Sequence, residues 1–188
     1  FKVEVMDGLF MRSWNDTIIK RIINSDLLKK KVYKYRDLPY YLIKKYLEDK
    51  YSRSLDVMIN NYIFSKIGAN SLSYNPHKNE NPKTIVPTEI DKYFRNGVLK
   101  GFVHDMGASM QGGIGGHAGL FGNAVDVAKL MQLFLQKGTY GNEIFFSSNM
   151  FDEFNKCHFC EDNVRRGIGF DKPEINDSDT ITCDCVSK

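Results

Sequence analysis

Two sets of side chains in this 188-residue sequence have the types and spacing that chemistry needs. The first is four cysteines in two tight pairs, Cys157-His-Phe-Cys160 and Cys183-Asp-Cys185. Cys-x-x-Cys is a zinc-knuckle spacing, and two such pairs can place four thiolates round one tetrahedral ion. Cys-x-Cys is the less usual half. The same sulfurs can instead close disulfides, which an oxidising compartment favours, or remain buried thiols. A structural zinc on Cys157, Cys160, Cys183 and Cys185 therefore stands level with disulfides. Either would anchor the region 166–171, and neither would be catalytic. The second set is Glu89, Arg95, His104, Asp105 and His117, spread through a stretch with no helical period. Read from the residues alone, such groups tie a long loop together through hydrogen bonds and an ion pair, because buried loop backbone needs partners. His77 is expected at the surface. The glycine run 112–122 lacks the Gly-x-x-x-x-Gly-Lys-Ser/Thr pattern of a phosphate cradle. It reads as a close-packing turn ahead of a helix.

The elements that must carry these groups are mainly helices at either end of that stretch. A first helix is expected after Ser13, with Ser13 and Asp16 as a variant capping box and Trp14, Ile18, Ile19, Ile22 and Ile23 on one face. Asp37 is a good N-cap for a second helix, with Pro39 tolerated in its first turn and Leu38, Tyr41, Leu42 and Tyr46 as the buried stripe. Ser54 caps a third, running to about Lys66 with Val57, Met58, Tyr62 and Ile63 inward, and Gly68 stops it. So 1–73 reads as a helical subdomain and 74–122 as a long irregular segment, uncommon inside a compact domain and often functional, with a short strand within Gly97 to His104. Over 123–156, Asn123 caps a strong helix with Asp126 three residues on. Ser147 or Ser148 caps a shorter one through Phe154. The remainder, 157–188, carries the cysteines and a strand starting at Arg166-Gly-Ile-Gly-Phe170.

Composition narrows the class. With 42% hydrophobic and 26% charged residues the chain is ordinary globular material. A net charge of +3, with both signs interspersed, argues against nucleic acid as partner. The run Lys29–Lys31 reads as a solvated helix end. No apolar stretch is long enough to span a bilayer, and no signal peptide is recognisable. The start at Phe1 and the finish at Cys-Val-Ser-Lys are expected to be cuts through a longer protein.

Five segments in order resemble one family, the β-lactamase-related serine hydrolases of the penicillin-binding-protein and class C β-lactamase type. Tyr33-Lys-Tyr35-Arg-Asp37-Leu-Pro-Tyr-Tyr is similar to its Tyr-Ser-Asn/Asp element. Ser54-Leu-Asp56 with Ile67-Gly-Ala69 is similar to its next helix. Ile85-Val-Pro-Thr-Glu89, Phe94-Arg95 and Gly101-Phe-Val-His-Asp105 resemble its Ala-Pro-Thr-Glu…Arg…Gly-x-Val-His-Asp run. Gly115-Gly-His-Ala-Gly-Leu-Phe121 with Ala124-x-Asp126-x-Ala128, and 166–173, match two further runs. The likeness extends to Bacteroidetes proteins in which this domain often follows a family 3 glycoside hydrolase domain, as in proteins of β-N-acetylhexosaminidase type.

The resemblance implies a β-lactamase/transpeptidase-like α/β (α+β) fold, seen here through its helical part and a cleft-lining loop, with the sheet incomplete. It implies acyl transfer through a serine activated by a neighbouring base, on an ester, amide or peptidoglycan-like substrate. Tyr35 takes the place of the family's proton-shuttling tyrosine, and Asp37 that of its third position. An Asp cannot donate the hydrogen bond that Asn does, which favours an esterase or peptidase over a β-lactam hydrolase. Arg36 stands where a small residue is usual. Glu89, Arg95, His104, Asp105 and His117 would border the substrate cleft. No Ser-x-x-Lys fits the nucleophile, and no His/Lys-Thr-Gly triplet occurs, so the chain is expected to be inactive without the rest of its polypeptide. No cofactor is implied for catalysis. A small or cell-wall-derived substrate and a periplasmic or cell-envelope location are. The alternative is a non-catalytic cell-wall or glycan-binding module beside a glycoside hydrolase.

Overall fold

The computed structural model describes residues 2–30, 33–160, 164 and 166–172. The fold is mixed α+β, with four two-stranded antiparallel ribbons among helices and no closed barrel among the described residues. Contacts divide the chain into Phe1–Lys129 and Leu130–Lys188.

The first unit opens with a hairpin, β1 (Lys2–Met6) against β2 (Leu9–Arg12). Val3 and Val5 alternate inward at 8% and 2% exposure, the period of a half-buried strand. Helix α1 (Asn15–Ile23) follows. Its expected cap is corrected: Trp14 is the N-cap, no side chain closes it, and Ser13 Oγ lies 3.5 Å from the Asn15 N–H. Ile19 alone of the helix is buried. Helix α2 (Leu38–Tyr51) starts after Asp37 with Pro39 in its first turn, but the expected cap is corrected: the Asp37 side chain makes no cap hydrogen bond. The stripe is corrected. Leu38, Leu42 and Tyr46 are exposed, and the buried residues are Tyr41 and Lys44, on the adjoining face. Helix α3 (Leu55–Ile59) runs on into a π turn at Asn60–Phe64, where Ser65 N–H donates to Asn60 O. The inward residues are Leu55, Met58 and Phe64, while Val57, ahead of the π turn, and Tyr62, within it, are exposed.

The irregular stretch is built of short pieces. β3 (Ser73–Tyr74) pairs with β6 (Leu120–Phe121), and β4 (Pro87–Asp91) with β5 (Gly97–Lys100). One turn of helix, α4 (Met106–Met110), packs against β1. Leu99, Ala108 and Ala69 are fully buried here.

The boundary between the units falls inside helix α5 (Ala124–Leu135). Asn123 Oδ1 accepts from Asp126 N–H at 2.8 Å, so the cap is as expected. The reciprocal half of the box is not made, since Asp126 accepts from Ser71 N–H and Lys129 instead. In the second unit, β7 (Thr139–Tyr140) pairs with β8 (Glu143–Ile144), and Ser147 caps α6 (Ser148–Asn155) through Met150 N–H at 3.2 Å. Phe134 gathers the rings of Phe146, Phe151 and Phe170 at centroid distances of 5.4–6.4 Å. The strand expected at 166–170 is corrected: a single bridge, Arg166 with Asp171, closes a turn in which Gly169 has φ +85°.

Candidate functional site

Three of the residues singled out from the sequence converge although they lie far apart along it. Asp37 stands at the start of α2, Asp105 at the start of α4, and His117 in the loop before β6. Each brings a carboxylate oxygen or ring nitrogen within 4.8 Å of the other two. Local structure explains the placing. Asp105 is the N-cap of α4, and its Oδ1 accepts from Ala108 N–H at 2.6 Å. The same oxygen lies 3.0 Å from His117 Nε2. The hydrogen bond from His117, burial working against it, and the amide of Ala108 together hold the Asp105 carboxyl below its usual range. An ionised carboxylate only accepts, so His117 Nε2 carries the proton and donates. His117 Nδ1 is buried without a hydrogen-bond partner among the described residues.

The ring of His117 is held from the other side by Tyr41, stacked at 4.4 Å with 20° between planes. Tyr41 is one helical turn from Asp37 and so on the same face of α2. Burial first, then the charges of Asp105 and Asp37, push its phenol up to about 12. It is a neutral donor beside two carboxylates. The sequence reading placed Tyr41 in the helix stripe and missed it as part of this cluster. Its separation of four from Asp37 is the signal that was there. Gly107 leaves room for this phenol, because a Cβ at this position would run into Tyr41 Oη unless the ring moved.

Arg95 positions the segment that carries the cluster. Its side chain is 1% exposed. Nε donates to Asp91 Oδ2 at 2.7 Å, Nη1 to Val103 O at 2.7 Å and Ser109 Oγ at 3.3 Å, and Nη2 to His104 O at 2.6 Å. Asp91 also accepts from the amides of Tyr93, Phe94 and Arg95, and the Phe94 amide with the guanidinium holds its carboxyl far below the ordinary range. The guanidinium thus fixes the backbone immediately before Asp105. Glu89 and His104 form an exposed pair at 3.2 Å. A cavity of about 470 Å³ is walled by Thr88, Val103, His104, Asp105 and residues 118–121, so Asp105 faces a space that fits a small ligand.

Tyr35 lies two residues before Asp37 and is 64% exposed. His77, expected at the surface, is corrected: its side chain is 11% exposed, with the ring stacked on Phe102. Cys157 and Cys160 are joined as a disulfide, a form in which neither sulfur is a thiolate. Cys183 and Cys185 lie outside the described residues. Two carboxylates and an imidazole as close as Asp37, Asp105 and His117 form a donor set of the kind that divalent cations accept.

An α+β scaffold that converges a carboxylate pair, an imidazole and a protonated phenol beside a cavity defines a class of site rather than one reaction. The chain is 31% identical over 160 residues to an Escherichia coli O157:H7 protein named "Putative D-alanyl-D-alanine carboxypeptidase", covering 79% of this chain and 36% of that protein. A Salmonella enteritidis PT4 protein of the same name is 33% identical over 148 residues, 72% of this chain and 34% of its own length. The "N-acetylmuramyl-L-alanine amidase" of Bacillus subtilis strain 168 is 36% identical over 133 residues, 64% of this chain and 30% of its own length. The chain spans about a third of the length of these curated relatives. No protein-family profile and no solved structure matches it. Among the described residues, no helix is long and apolar enough to cross a membrane.

Proposed function

We propose that this chain is part of a hydrolase that acts on peptidoglycan in the cell envelope and works by serine acyl transfer. The observation that carries the reading is a shared theme in independently named relatives. Proteins at 31% and 36% identity are named for cutting, respectively, the peptide end and the sugar–peptide amide of the same polymer. The convergence of Asp37, Asp105 and His117 supports it, because these positions come from three separate segments of the resemblance and still meet in one place.

In this reading Tyr35 shuttles a proton between the serine and the leaving group. Tyr41 is unsuited to that task, since a phenol pushed up to about 12 gives up its proton too reluctantly. Its part is to hold the imidazole of His117, on which it stacks. Asp105 and His104 form the wall that meets substrate. The Ser-x-x-Lys nucleophile and the His/Lys-Thr-Gly strand belong to the remainder of the polypeptide, so this chain alone does not turn over. The reading uses protein groups only and needs no cofactor.

Fluorophosphonate labelling tests it on three proteins: this chain, the longer polypeptide containing it, and the longer polypeptide with Tyr35→Phe. Labelling of the longer polypeptide, slowed at least ten-fold by the substitution, is expected. A folded longer polypeptide that does not label, yet sediments with cell walls, would replace the hydrolase by a wall-binding module.

A further inference from the structure

The cluster of Asp37, Asp105 and His117 sets two carboxylates beside one imidazole, with their donor atoms within 4.8 Å of one another and none of the three residues exposed. Like charges so close disfavour each other where water is partly excluded. Among the described residues, no lysine or arginine pairs with either carboxylate. Asp105 has the ring of His117 as its ionic partner. Asp37 stands at the start of α2, yet its side chain makes no cap hydrogen bond. Two buried cations of the same unit are engaged elsewhere. Lys44 Nζ donates to Gln111 and lies 4.0 Å from Glu48, and Arg95 is held by Asp91 and two backbone carbonyls.

A divalent cation would supply the missing charge and suit each donor. Imidazole nitrogen fits zinc and its first-row neighbours, whereas magnesium and calcium take oxygen ligands. His117 Nε2 and Asp105 Oδ1 are 3.0 Å apart. Two donors on one tetrahedral zinc, each about 2.0–2.1 Å from the ion, lie roughly 3.3 Å from each other, so one edge of the coordination shell is close to formed. The imidazole is held in place, stacked on Tyr41 at 4.4 Å and with its side chain 4% exposed. Metal on Nε2 puts the ring proton on Nδ1. That nitrogen has no hydrogen-bond partner among the described residues, so the change of tautomer breaks no bond there. Asp37 completes the set by turning a carboxylate that no cap bond restrains. Asp105 also lines the cavity of about 470 Å³, from which an ion can arrive and water can take the remaining coordination position. We propose that Asp37, Asp105 and His117 Nε2 bind a single zinc ion, which clamps the start of α2 to α4 and to the loop before β6. The site is structural, and the inference rests neither on the serine mechanism nor on peptidoglycan as substrate.

The test uses this chain with the Cys157–Cys160 disulfide intact and metal removed by EDTA. Zinc is titrated while the histidine ring nitrogens are followed by NMR. Saturable uptake is expected, with Nε2 of His117 changing from a protonated to a metal-bound nitrogen while the rings of His77, His104 and His158 stay as they were. Cobalt in place of zinc should bind without thiolate charge-transfer bands, which separates this site from one on Cys183 and Cys185. The thermal unfolding midpoint should rise with zinc concentration. Asp37→Asn, at a side chain that holds no cap bond, and Asp105→Asn, whose amide oxygen can still cap α4, should each weaken zinc binding at least about ten-fold, since even the outer-shell partners of a bound metal contribute that much. Magnesium at the same concentration should leave His117 unmoved. A His117 ring that stays silent, with or without thiolate bands from cobalt, an equal response to magnesium, or an affinity untouched by both substitutions would each overturn the proposal.

Discussion

Replacing Arg95 by Met tests whether one buried guanidinium sets the position of the candidate site. The substitution keeps the apolar stem and removes the five donors. Val103 O and His104 O lose bonds of 2.7 and 2.6 Å to a charged donor inside the protein. Hydrogen bonds to charged groups contribute about 1.5–3 kcal/mol each, so these two alone amount to roughly 3–6 kcal/mol. The Asp91 pair is left out of that figure, because its carboxylate keeps the backbone amides of Tyr93, Phe94 and Arg95. Some of the loss returns when the loop opens and water reaches the carbonyls, and about 3 kcal/mol is expected. Trp14, the sole tryptophan, reports on it, since its backbone N–H donates to Met110 O at the end of α4. The assay is urea unfolding followed by Trp14 fluorescence, with Lys45→Met as the control. Lys45 pairs with Asp49 one turn away at the surface, and its loss should stay within about 0.5 kcal/mol. If Arg95→Met costs less than about 1 kcal/mol, the loop is held by something other than the guanidinium, and the positioning argument fails.

Three more outcomes follow from the geometry. Gly119 has φ +112°, and a Cβ there would collide with the Gly113 carbonyl, so Gly119→Ala should cost at least about 2 kcal/mol by urea unfolding; a change under about 0.5 kcal/mol would mean the turn is not held as described. Tyr41 is raised in the folded protein, so its contribution is complete below the ordinary phenol value of about 10 and is lost as pH climbs through about 12. Absorbance titration at 295 nm should lose its latest phenol in Tyr41→Phe, and an unchanged curve would contradict the burial. Asp126 is depressed to about 2, by Lys129 first and then by Ser71. Its contribution is present above the usual carboxylate value and fades as pH falls through about 2, so Lys129→Met should move acid unfolding of Trp14 to higher pH, and an unmoved midpoint would refute the pairing.

The sequence by itself determined the helix starts whose signal is a side chain next to its own backbone. Asn123 and Ser147 stand where helices begin and make the predicted cap bonds, whereas Asp37 stands at the start of α2 without making one. It also singled out Asp37, Asp105 and His117, through motifs that keep order along the chain. Local reading failed where the answer depends on what lies opposite. Periodicity shows that α2 has faces but not which one meets a neighbour, so Tyr41 and Lys44 went inside while Leu42 and Tyr46 stayed out. The same holds for α3 and the turn after it, where Met58 went inside while Val57 and Tyr62 stayed out. A lone histidine carries no mark of burial, and only the ring of Phe102 and the carbonyl of Gly101 placed His77 inside. Tertiary structure alone brought Asp37, Asp105 and His117 within 4.8 Å of one another. Arg95 fixes the Asp105 part of that meeting, since its donors reach across to the backbone of Val103 and His104. Convergence of this kind is a property of long-range contacts, and no pattern of neighbours along the chain encodes it.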